Sequence, residues 1–357
     1  MRRVAAFAEI TLAVVIVSGM LAWASGVSLE AIVQYARLEV TGARVVEYDV
    51  VCPGWGPGSR ILGISGDATA LGDARDPDNH EVATIWEDGE STYLHTGPTM
   101  GHAVVEDYFG RVVTNLYLGH ARERICTAVV APPGGQATPL EIPDGYCSCR
   151  ACDANDAGIV VGTVVPRGEP GRPCTWDATG AATVLDSARG CASAINDSGI
   201  IVGYVDVPGG QTMRLWRAHG EGWCSMDVIA PVAGNVRPEA ISDEGVVVGR
   251  VFAQGAFRWD ETEGLRMLRD PTGAKNGQAR DVNNRGEVVG SGMHRKEAVA
   301  VLWREDEVID LNDRIDPELG WHLTNGTAIS DTGVIACTGM RGDRQEVVVL
   351  IPRALAG

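Results

Sequence analysis

The stretch Ile195–Gly203, Ile-Asn-Asp-Ser-Gly-Ile-Ile-Val-Gly, predicts the end of one strand, a tight turn and a second strand. Asn196 and Asp197 have short polar side chains that hydrogen-bond the backbone two residues further on. Gly199 tolerates the positive φ that the last position of such a turn requires. The β-branched run that follows suits a strand buried on both faces. We expect a second backbone segment or a bulky ring to lie close to Gly203.

Variants of this stretch recur along the chain at intervals of 41 to 48 residues. The residues that align with Gly199 are Ala68, Gly110, Gly158, Gly199, Gly245, Gly286 and Gly333. A second marker has the same period, because tryptophans occur at Trp86, Trp176, Trp216, Trp259 and Trp303. The second repeat has Val129 and Val130 where its tryptophan would be. Two markers that share one period indicate seven repeats.

Each repeat contains about four strand-like pieces. Four strands in a unit of about 40–50 residues are typical of one blade of a β-propeller, and seven blades are within the usual number. The sequence therefore predicts an all-β fold over residues 48–357, a seven-bladed β-propeller of about 40–48-residue repeats.

The two ends of the repeat region complement each other. The seventh repeat stops after its third strand-like piece, near Pro352, and an isolated strand-like piece, Tyr48–Val51, precedes the first repeat. We predict that this N-terminal strand completes the last blade, so that the ring closes without a free edge. A linear solenoid would instead need distinct capping units.

The N-terminus is apolar. Two arginines precede an apolar run over residues 4–24, which is interrupted at Glu9 and then continues for 15 residues. This length is typical of a signal peptide, and an uncleaved hydrophobic helix that anchors the chain in a membrane is the alternative. Residues 1–26 are therefore predicted to be a signal peptide or anchor, and residues 27–47 a short helix or linker. Both alternatives predict an exported protein that is extracellular, periplasmic or anchored facing outside.

Composition narrows the class of protein. The chain has 45 glycines and 6% aromatic residues, which favours short strands and turns. Its net charge of −17 argues against nucleic-acid binding. Nine cysteines are typical of an oxidising compartment and predict disulfides, although an odd number leaves at least one thiol unpaired within the chain. We expect a monomer.

Residues 240–268 contain Ala-Ile-Ser-Asp-Glu-Gly-Val-Val-Val-Gly, then Ala-Phe-Arg-Trp, then Leu-Arg-Met-Leu. This pattern resembles the HAF-repeat family of extracellular bacterial proteins, and the resemblance covers about residues 48–352. It implies export and a propeller-like repeat domain, but no established reaction and no catalytic residues. The second repeat departs from the pattern, and several repeats lack the Ala-Phe pair, which implies irregular blades.

Two stretches have the composition of a metal site. Asp153–Gly158 is similar to an acidic calcium loop, but a hairpin turn explains it as well, and calcium needs six to eight oxygen ligands. Cys147–Cys152 contains three cysteines, but no second Cys-x-x-Cys or neighbouring His completes a set of four ligands. Free thiols or local disulfides, with Cys126, Cys174 or Cys191 as partners, are the favoured interpretation.

The remaining candidates favour structure over chemistry. The repeated tryptophans alternate with apolar strand residues, which favours core packing over a carbohydrate platform. The sequence assigns no catalytic, metal-binding or cofactor-binding residue and predicts no cofactor. It favours a non-enzymatic interaction module for an unknown protein or glycan partner. The alternative is a polysaccharide hydrolase or lyase with carboxylates in the central channel. We expect the site where the repeats differ, in the insertions after each Val-Val-Gly and in the loops of the first two blades.

Overall fold

The computed structural model describes residues 46–94, 101–106, 112–118, 125–131, 136–220, 222–228, 235–273, 277–305 and 307–353. These residues form seven four-stranded antiparallel sheets. The predicted N-terminal segments, residues 1–26 and 27–47, lie outside the described residues, apart from residues 46 and 47. No helix within the described ranges has the length and apolar character needed to cross a membrane.

The strands are numbered in chain order, beginning with β1 (Tyr48–Val51). Blade 1 consists of β2 (Arg60–Ile64), β3 (Ala70–Arg75), β4 (Glu81–Glu87) and β5 (Glu90–Leu94). Blade 2 consists of β6 (Gly101–Glu106), β7 (Val112–Leu118), β8 (Ile125–Ala131) and β9 (Thr138–Pro139). Blade 3 consists of β10 (Tyr146–Ala154), β11 (Val160–Pro166), β12 (Arg172–Trp176) and β13 (Ala182–Val184).

Blade 4 consists of β14 (Gly190–Ile195), β15 (Ile201–Val207), β16 (Gly210–His219) and β17 (Gly222–Val228). Blade 5 consists of β18 (Val236–Ile241), β19 (Val247–Val251), β20 (Gly255–Asp260) and β21 (Gly264–Met267). Blade 6 consists of β22 (Gln278–Val282), β23 (Val288–His294), β24 (Glu297–Arg304) and β25 (Glu307–Asp310). Two 3-10 helices, Leu311–Asp313 and Pro317–Leu319, lead to blade 7, which contains β26 (Trp321–Ile329), β27 (Ile335–Arg341) and β28 (Arg344–Pro352).

The first strands of the seven blades contact one another in a closed cycle, which includes a contact between β26 and β2. They are the inner strands and surround a central channel. The predicted all-β, seven-bladed propeller is therefore confirmed. The outer strand of blade 7 is β1, which pairs antiparallel with β28 from Tyr48 opposite Pro352 to Val51 opposite Val349.

The core lies between neighbouring blades. Five tryptophans of the repeats are at most 7% exposed: Trp86, Trp176, Trp216, Trp259 and Trp303. Trp176 also donates its indole N–H to the carbonyl oxygen of Glu141 at 2.8 Å. Their burial confirms the prediction that they pack in the core and excludes a carbohydrate platform built from them.

The turn predicted at Ile195–Gly203 has the expected geometry. Gly199 has a φ of 75° and donates its backbone N–H to the Asn196 carbonyl oxygen at 2.9 Å. Ile200 donates its backbone N–H to Asn196 Oδ1 at 2.8 Å. The Asn side chain therefore replaces ladder pairing within the turn, as the sequence indicated.

Every inner strand contains a β-bulge at the same place, immediately before the last two residues that pair with the second strand. The extra residues are Leu62, Val104, Cys152, Ser193, Glu239, Arg280 and Thr327. In five blades the inner strand thereby lies over a glycine of the second strand: Gly72, Gly162, Gly203, Gly249 and Gly290. A Cβ atom at Gly203 would lie less than 3 Å from the carbonyl oxygen of Cys191, which confirms the predicted close backbone.

The structure does not support the predicted disulfides, because none of the nine cysteines forms one. Bulges at Cys147 and at Cys152 interrupt the alternation of side chains along β10 and separate the clustered cysteines. Cys149 is buried in the core with Cys174, whereas the Cys147 thiol donates to the Val165 carbonyl oxygen. Cys337 is buried in another core cluster. These three buried thiols act as small apolar side chains.

Candidate binding site at the channel mouth

The turns that join the first and second strands lie together at one end of the channel, here called the turn end. Side-chain amides link successive blades there. Asn155 Nδ2 donates to the Asn196 carbonyl oxygen at 3.1 Å, and Asn196 Nδ2 donates to that of Ser242 at 2.9 Å. Asn283 Nδ2 donates to the Ser330 carbonyl oxygen at 3.0 Å. The first polar residue of each of these turns therefore makes a hydrogen bond to the backbone of the next blade.

The second polar residues of the turns form a row of acidic groups around the turn end. We define the acidic rim as Asp156, Asp197, Asp243, Asn284 and Asp331. Each of the first four donates its backbone N–H to a side-chain oxygen of the next member, at 2.7 to 2.9 Å. Four members are exposed and Asp243 is half-buried. The backbone thus fixes one oxygen of each acceptor and orients the row.

Asn284 separates two carboxylates of the acidic rim. Its Nδ2 donates to Asp243 Oδ2 at 2.7 Å and to Asp331 Oδ2 at 2.9 Å. A neutral amide between two carboxylates reduces their repulsion. The equivalent positions in blades 1 and 2 are Gly66 and Tyr108. Gly66 accepts a hydrogen bond from Thr332 at 2.8 Å, and Tyr108 lies outside the described residues.

The acidic rim opens on a cavity of about 380 Å³. Its walls are the turns of blade 1 and of blades 3 to 7. A groove of about 620 Å³ adjoins it between blades 4 and 5 and shares Asp243 with it. Charges of both signs line this groove, and among them Arg217 forms an ion pair with Glu261.

Two further carboxylates lie in the channel wall behind the acidic rim. They belong to Asp153 and Asp281, each of which directly follows the bulge of its inner strand. In chain order, the seven blades have at this position Gly63, Val105, Asp153, Ala194, Ala240, Asp281 and Ala328. Asp153 accepts the backbone N–H groups of Ala154 and of Ile195 in the next blade, both at 2.9 Å. Asp281 accepts those of Val282 and Ile329, both at 2.8 Å. Each carboxylate therefore connects its blade to the next one.

Burial shifts the titration of both wall carboxylates. Burial, with smaller contributions from the nearby charges of Asp281 and Asp197, raises the pKa of Asp153 to about 7. Burial raises the pKa of Asp281 to about 6, with a smaller contribution from Asp331. Backbone hydrogen bonds to both carboxylates oppose these shifts.

Basic residues occur deeper along the inner strands. The position two residues before the bulge is Arg60, His102, Arg150, Cys191, Arg237, Gln278 or Asn325. Arg237 lies 4.9 Å from the ring centroid of Tyr204. Glu239 has Arg280 and Arg250 at 3.9 and 4.0 Å, and burial raises its pKa despite them. The inner strands thus change from acidic at the turn end to more basic farther in.

The acidic loop Asp153–Gly158 does not converge on one point. Asp153 points to the channel wall, Asn155 Oδ1 accepts the backbone N–H of Ile159 at 3.0 Å, and Asp156 belongs to the acidic rim. The hairpin explanation accounts for these contacts. Elsewhere in the described ranges, ligand atoms of Asp76, Asp78 and His80 lie within 4.8 Å of one another in a hairpin where Asp76 is buried and the other two are exposed.

Sequence reasoning missed both sets of channel carboxylates. The signal for the acidic rim was present, since an acidic or amide residue follows the first polar residue of five turns. Turn geometry alone accounts for these residues in a linear sequence, where the spacing between blades is not visible. For Asp153 and Asp281 the signal was the presence of Asp where three other repeats have Ala.

No family model matches the chain, and no curated protein matches it. Among solved structures it is similar to the β-propeller domain of the Trilobed protease from Pyrococcus furiosus, with a TM-score of 0.55 and 10% identity over 85% of this chain and 96% of that domain. YCF48 bound to D1 peptide has a TM-score of 0.52 and 11% identity over 87% and 98% of the two chains. Puromycin hydrolase has a TM-score of 0.53 and 16% identity over 82% of this chain and 51% of its own. The chain thus spans about half the length of that hydrolase, and these identities show a common fold alone.

Proposed function

We propose that this chain is an exported, non-enzymatic interaction module of the HAF-repeat type. In this proposal the acidic rim binds a Lys or Arg side chain presented by a partner protein. The observation that carries the proposal is the acidic rim itself: four carboxylates and one amide, held in a row by backbone hydrogen bonds, around one cavity.

Size and charge support a cationic ligand. A cavity of about 380 Å³ is within the usual range for a ligand site, about 300 to 1,000 Å³. The side-chain oxygens that line it accept hydrogen bonds from ammonium or guanidinium groups. The net charge of −17 increases the rate at which a cationic partner associates.

The adjoining groove supports a peptide over a free amine. It extends from Asp243 outward between blades 4 and 5, with a volume of about 620 Å³. The groove contains charges of both signs, which can pair with the residues that precede or follow the bound Lys or Arg in the partner peptide. A single amine in the mouth would leave this groove unused.

Neutralising the acidic rim tests the proposal. We expect that changing Asp156, Asp197, Asp243 and Asp331 to Asn weakens the binding of a fluorescent Lys-Gly repeat peptide by tenfold or more. The fold tolerates Asn at this position, because Asn284 already accepts the same backbone hydrogen bond at 2.8 Å. The measurement is fluorescence anisotropy at two salt concentrations, with a Glu-Gly repeat peptide as the ligand control.

A matched variant removes the same charge from the opposite end of the ring. It replaces four exposed acidic residues by their amides: Asp78, Glu297, Glu318 and Asp343. We expect its affinity for the Lys-Gly peptide to change less than twofold. Equal losses in the two variants would mean that net charge alone attracts the peptide, and the acidic rim would not be the site.

The proposed export depends on the N-terminal segment, and N-terminal sequencing of the mature protein tests it. A start near Ser25 indicates a cleaved signal peptide, whereas Met1 on a membrane-associated protein indicates an anchor. Recovery of the protein with Met1 from the cytoplasm alone would contradict export and would leave the acidic-rim proposal intact.

A second candidate function rests on Asp153 and Asp281. With pKa values raised to about 7 and about 6, they could act as general acid and general base on a polysaccharide in the channel. All four of their oxygens already accept backbone N–H groups, which favours a structural role. Release of reducing ends from a panel of polysaccharides, abolished by Asp153→Ala and by Asp281→Ala, would establish the hydrolase.

A further inference from the structure

Cys152 and Cys191 lie next to each other between blades 3 and 4. Their Sγ atoms are 3.4 Å apart, and both residues are partly exposed to solvent. Cys152 is the extra residue of the β10 bulge, so its backbone lies outside the regular ladder. Because a disulfide needs about 2.05 Å, the sulfurs must approach by about 1.4 Å to form one. A bulge residue can move by this distance without breaking strand pairing.

The surroundings make the two thiols unequal. The hydrogen bond from Cys152 lowers the pKa of Cys191, with further contributions from the Thr163 hydroxyl and from Arg150 and Arg237. The same hydrogen bond, together with burial, raises the pKa of Cys152. Cys191 is therefore the better source of thiolate, and Cys152 is the thiol placed to react second. The two guanidinium groups disfavour a metal cation beside the sulfurs.

We propose that Cys152 and Cys191 are a peroxide-reactive dithiol that closes to a reversible disulfide between blades 3 and 4. The Cys191 thiolate attacks one oxygen of hydrogen peroxide, the O–O bond breaks, and a sulfenic acid and hydroxide form. The Cys152 sulfur then attacks the Cys191 sulfur, the S–O bond breaks, and water leaves with the proton of the Cys152 thiol. Two thiols and one peroxide thus give one disulfide and two waters.

Formation of this disulfide changes the charge of the channel wall and the freedom of the two blades to separate. It removes the thiolate that neighbours Arg150 and Arg237, so the wall becomes more positive. It also links inner strands β10 and β14 covalently, which restricts the separation of two blades. The proposal is independent of peptide binding at the acidic rim.

Peptide mapping of the full chain tests the reaction. The reduced protein is treated with one equivalent of hydrogen peroxide at pH 7 and digested without reductant. We expect mass spectrometry to show a peptide linked through Cys152 and Cys191, the loss of two thiols per chain, and full reversal by dithiothreitol. The melting temperature should rise by a few degrees on oxidation.

Single variants separate the two roles. We expect Cys152→Ser to accumulate a sulfenic acid at Cys191 that dimedone traps, and Cys191→Ser to lose the fast reaction. The matched control is Cys147→Ser, which removes a similarly half-buried thiol from the same strand and should leave the linkage unchanged. The inference is wrong if the exposed Cys52 or Cys224 reacts first, or if Cys191 proceeds to a sulfinic acid without forming the linkage.

Discussion

Single residues determine how each inner strand meets its neighbour. Gly203 lies beneath the bulge of β14, where the Cys191 carbonyl oxygen occupies the space that a Cβ atom would need. Gly162 has the same relation to the Arg150 carbonyl oxygen. The glycine in the repeated Val-Val-Gly therefore allows close approach of two backbones. Gly199 has a different role, since its φ is positive and its Cβ position is open.

Gly203→Ala should reduce the free energy of unfolding by about 2 kcal/mol, because the added methyl group must displace a backbone carbonyl. Gly63→Ala is the matched control. Its Cβ would meet no atom within 4 Å, and three other blades have Ala at the equivalent position. We expect the control to change stability by less than about 0.5 kcal/mol in chemical denaturation. Equal effects would exclude the backbone clash.

Asp153 should make stability depend on pH. Because burial raises its folded pKa to about 7, the folded protein keeps a proton that the unfolded chain releases near pH 4. Its contribution to stability is therefore complete below pH 4 and lost as the pH rises through 7. Relative to Asp153→Ala, the wild type should lose on the order of 2 kcal/mol between pH 4 and 8.

Asp281→Ala provides the comparison for this measurement. With a pKa raised to about 6, the contribution of Asp281 should be lost about one pH unit earlier. Chemical denaturation at intervals of one pH unit resolves the two curves. Parallel stability curves for the wild type and both variants would contradict the raised pKa values.

At the scale of elements, β1 joins the first and last parts of the propeller. Tyr48 is 3% exposed and packs in a core cluster with Leu350. The Arg353 backbone N–H donates to the Glu47 carbonyl oxygen at 2.8 Å. Burial raises the pKa of Tyr48 to about 12, which is consistent with a phenol in an apolar site. The strand therefore contributes a buried side chain as well as backbone pairing.

Tyr48→Ala should destabilise the full chain by about 3 kcal/mol, since it leaves a cavity in the last blade. Asp49→Ala is the control on the same strand. Asp49 is exposed and pairs only at the surface with Arg353, so its removal should change stability by less than about 0.5 kcal/mol. If Tyr48→Ala were as mild as the control in chemical denaturation, β1 would not contribute to the fold.

At the scale of the whole molecule, the ring gathers acidic residues that are distant in sequence. The backbone N–H of Asp156 donates to Asp197, 41 residues later, and that of Asp197 donates to Asp243 after 46 residues. Each turn contributes one side chain, and closure places these side chains around one mouth. Their mutual repulsion is the electrostatic consequence of this geometry.

Salt should therefore stabilise the wild type more than the variant with Asn at the four rim aspartates. Raising the ionic strength from 10 to 150 mM shortens the Debye length from about 30 to about 8 Å. We expect the stabilisation of the wild type to exceed that of the variant by about 1 kcal/mol, measured by chemical denaturation. Salt should stabilise the variant neutralised at the opposite end as much as it stabilises the wild type. If salt also stabilised the rim variant as much as the wild type, repulsion across the mouth would be excluded.

The repeat period, the seven blades, the Asn-Asp-x-Gly turn and the burial of the tryptophans can be predicted from the amino-acid sequence alone. These features depend on hydrogen bonding, backbone conformation and apolar pattern within about 45 residues of chain, so local residue types reveal them. Export and the N-terminal segments remain predictions. Three features become visible only in the folded ring: the charge of Asp281 acts on Asp153, five turns form one acidic rim, and Cys152 contacts Cys191. Those contacts depend on ring closure and on bulges that reorient side chains, and neither has a signature in a single repeat.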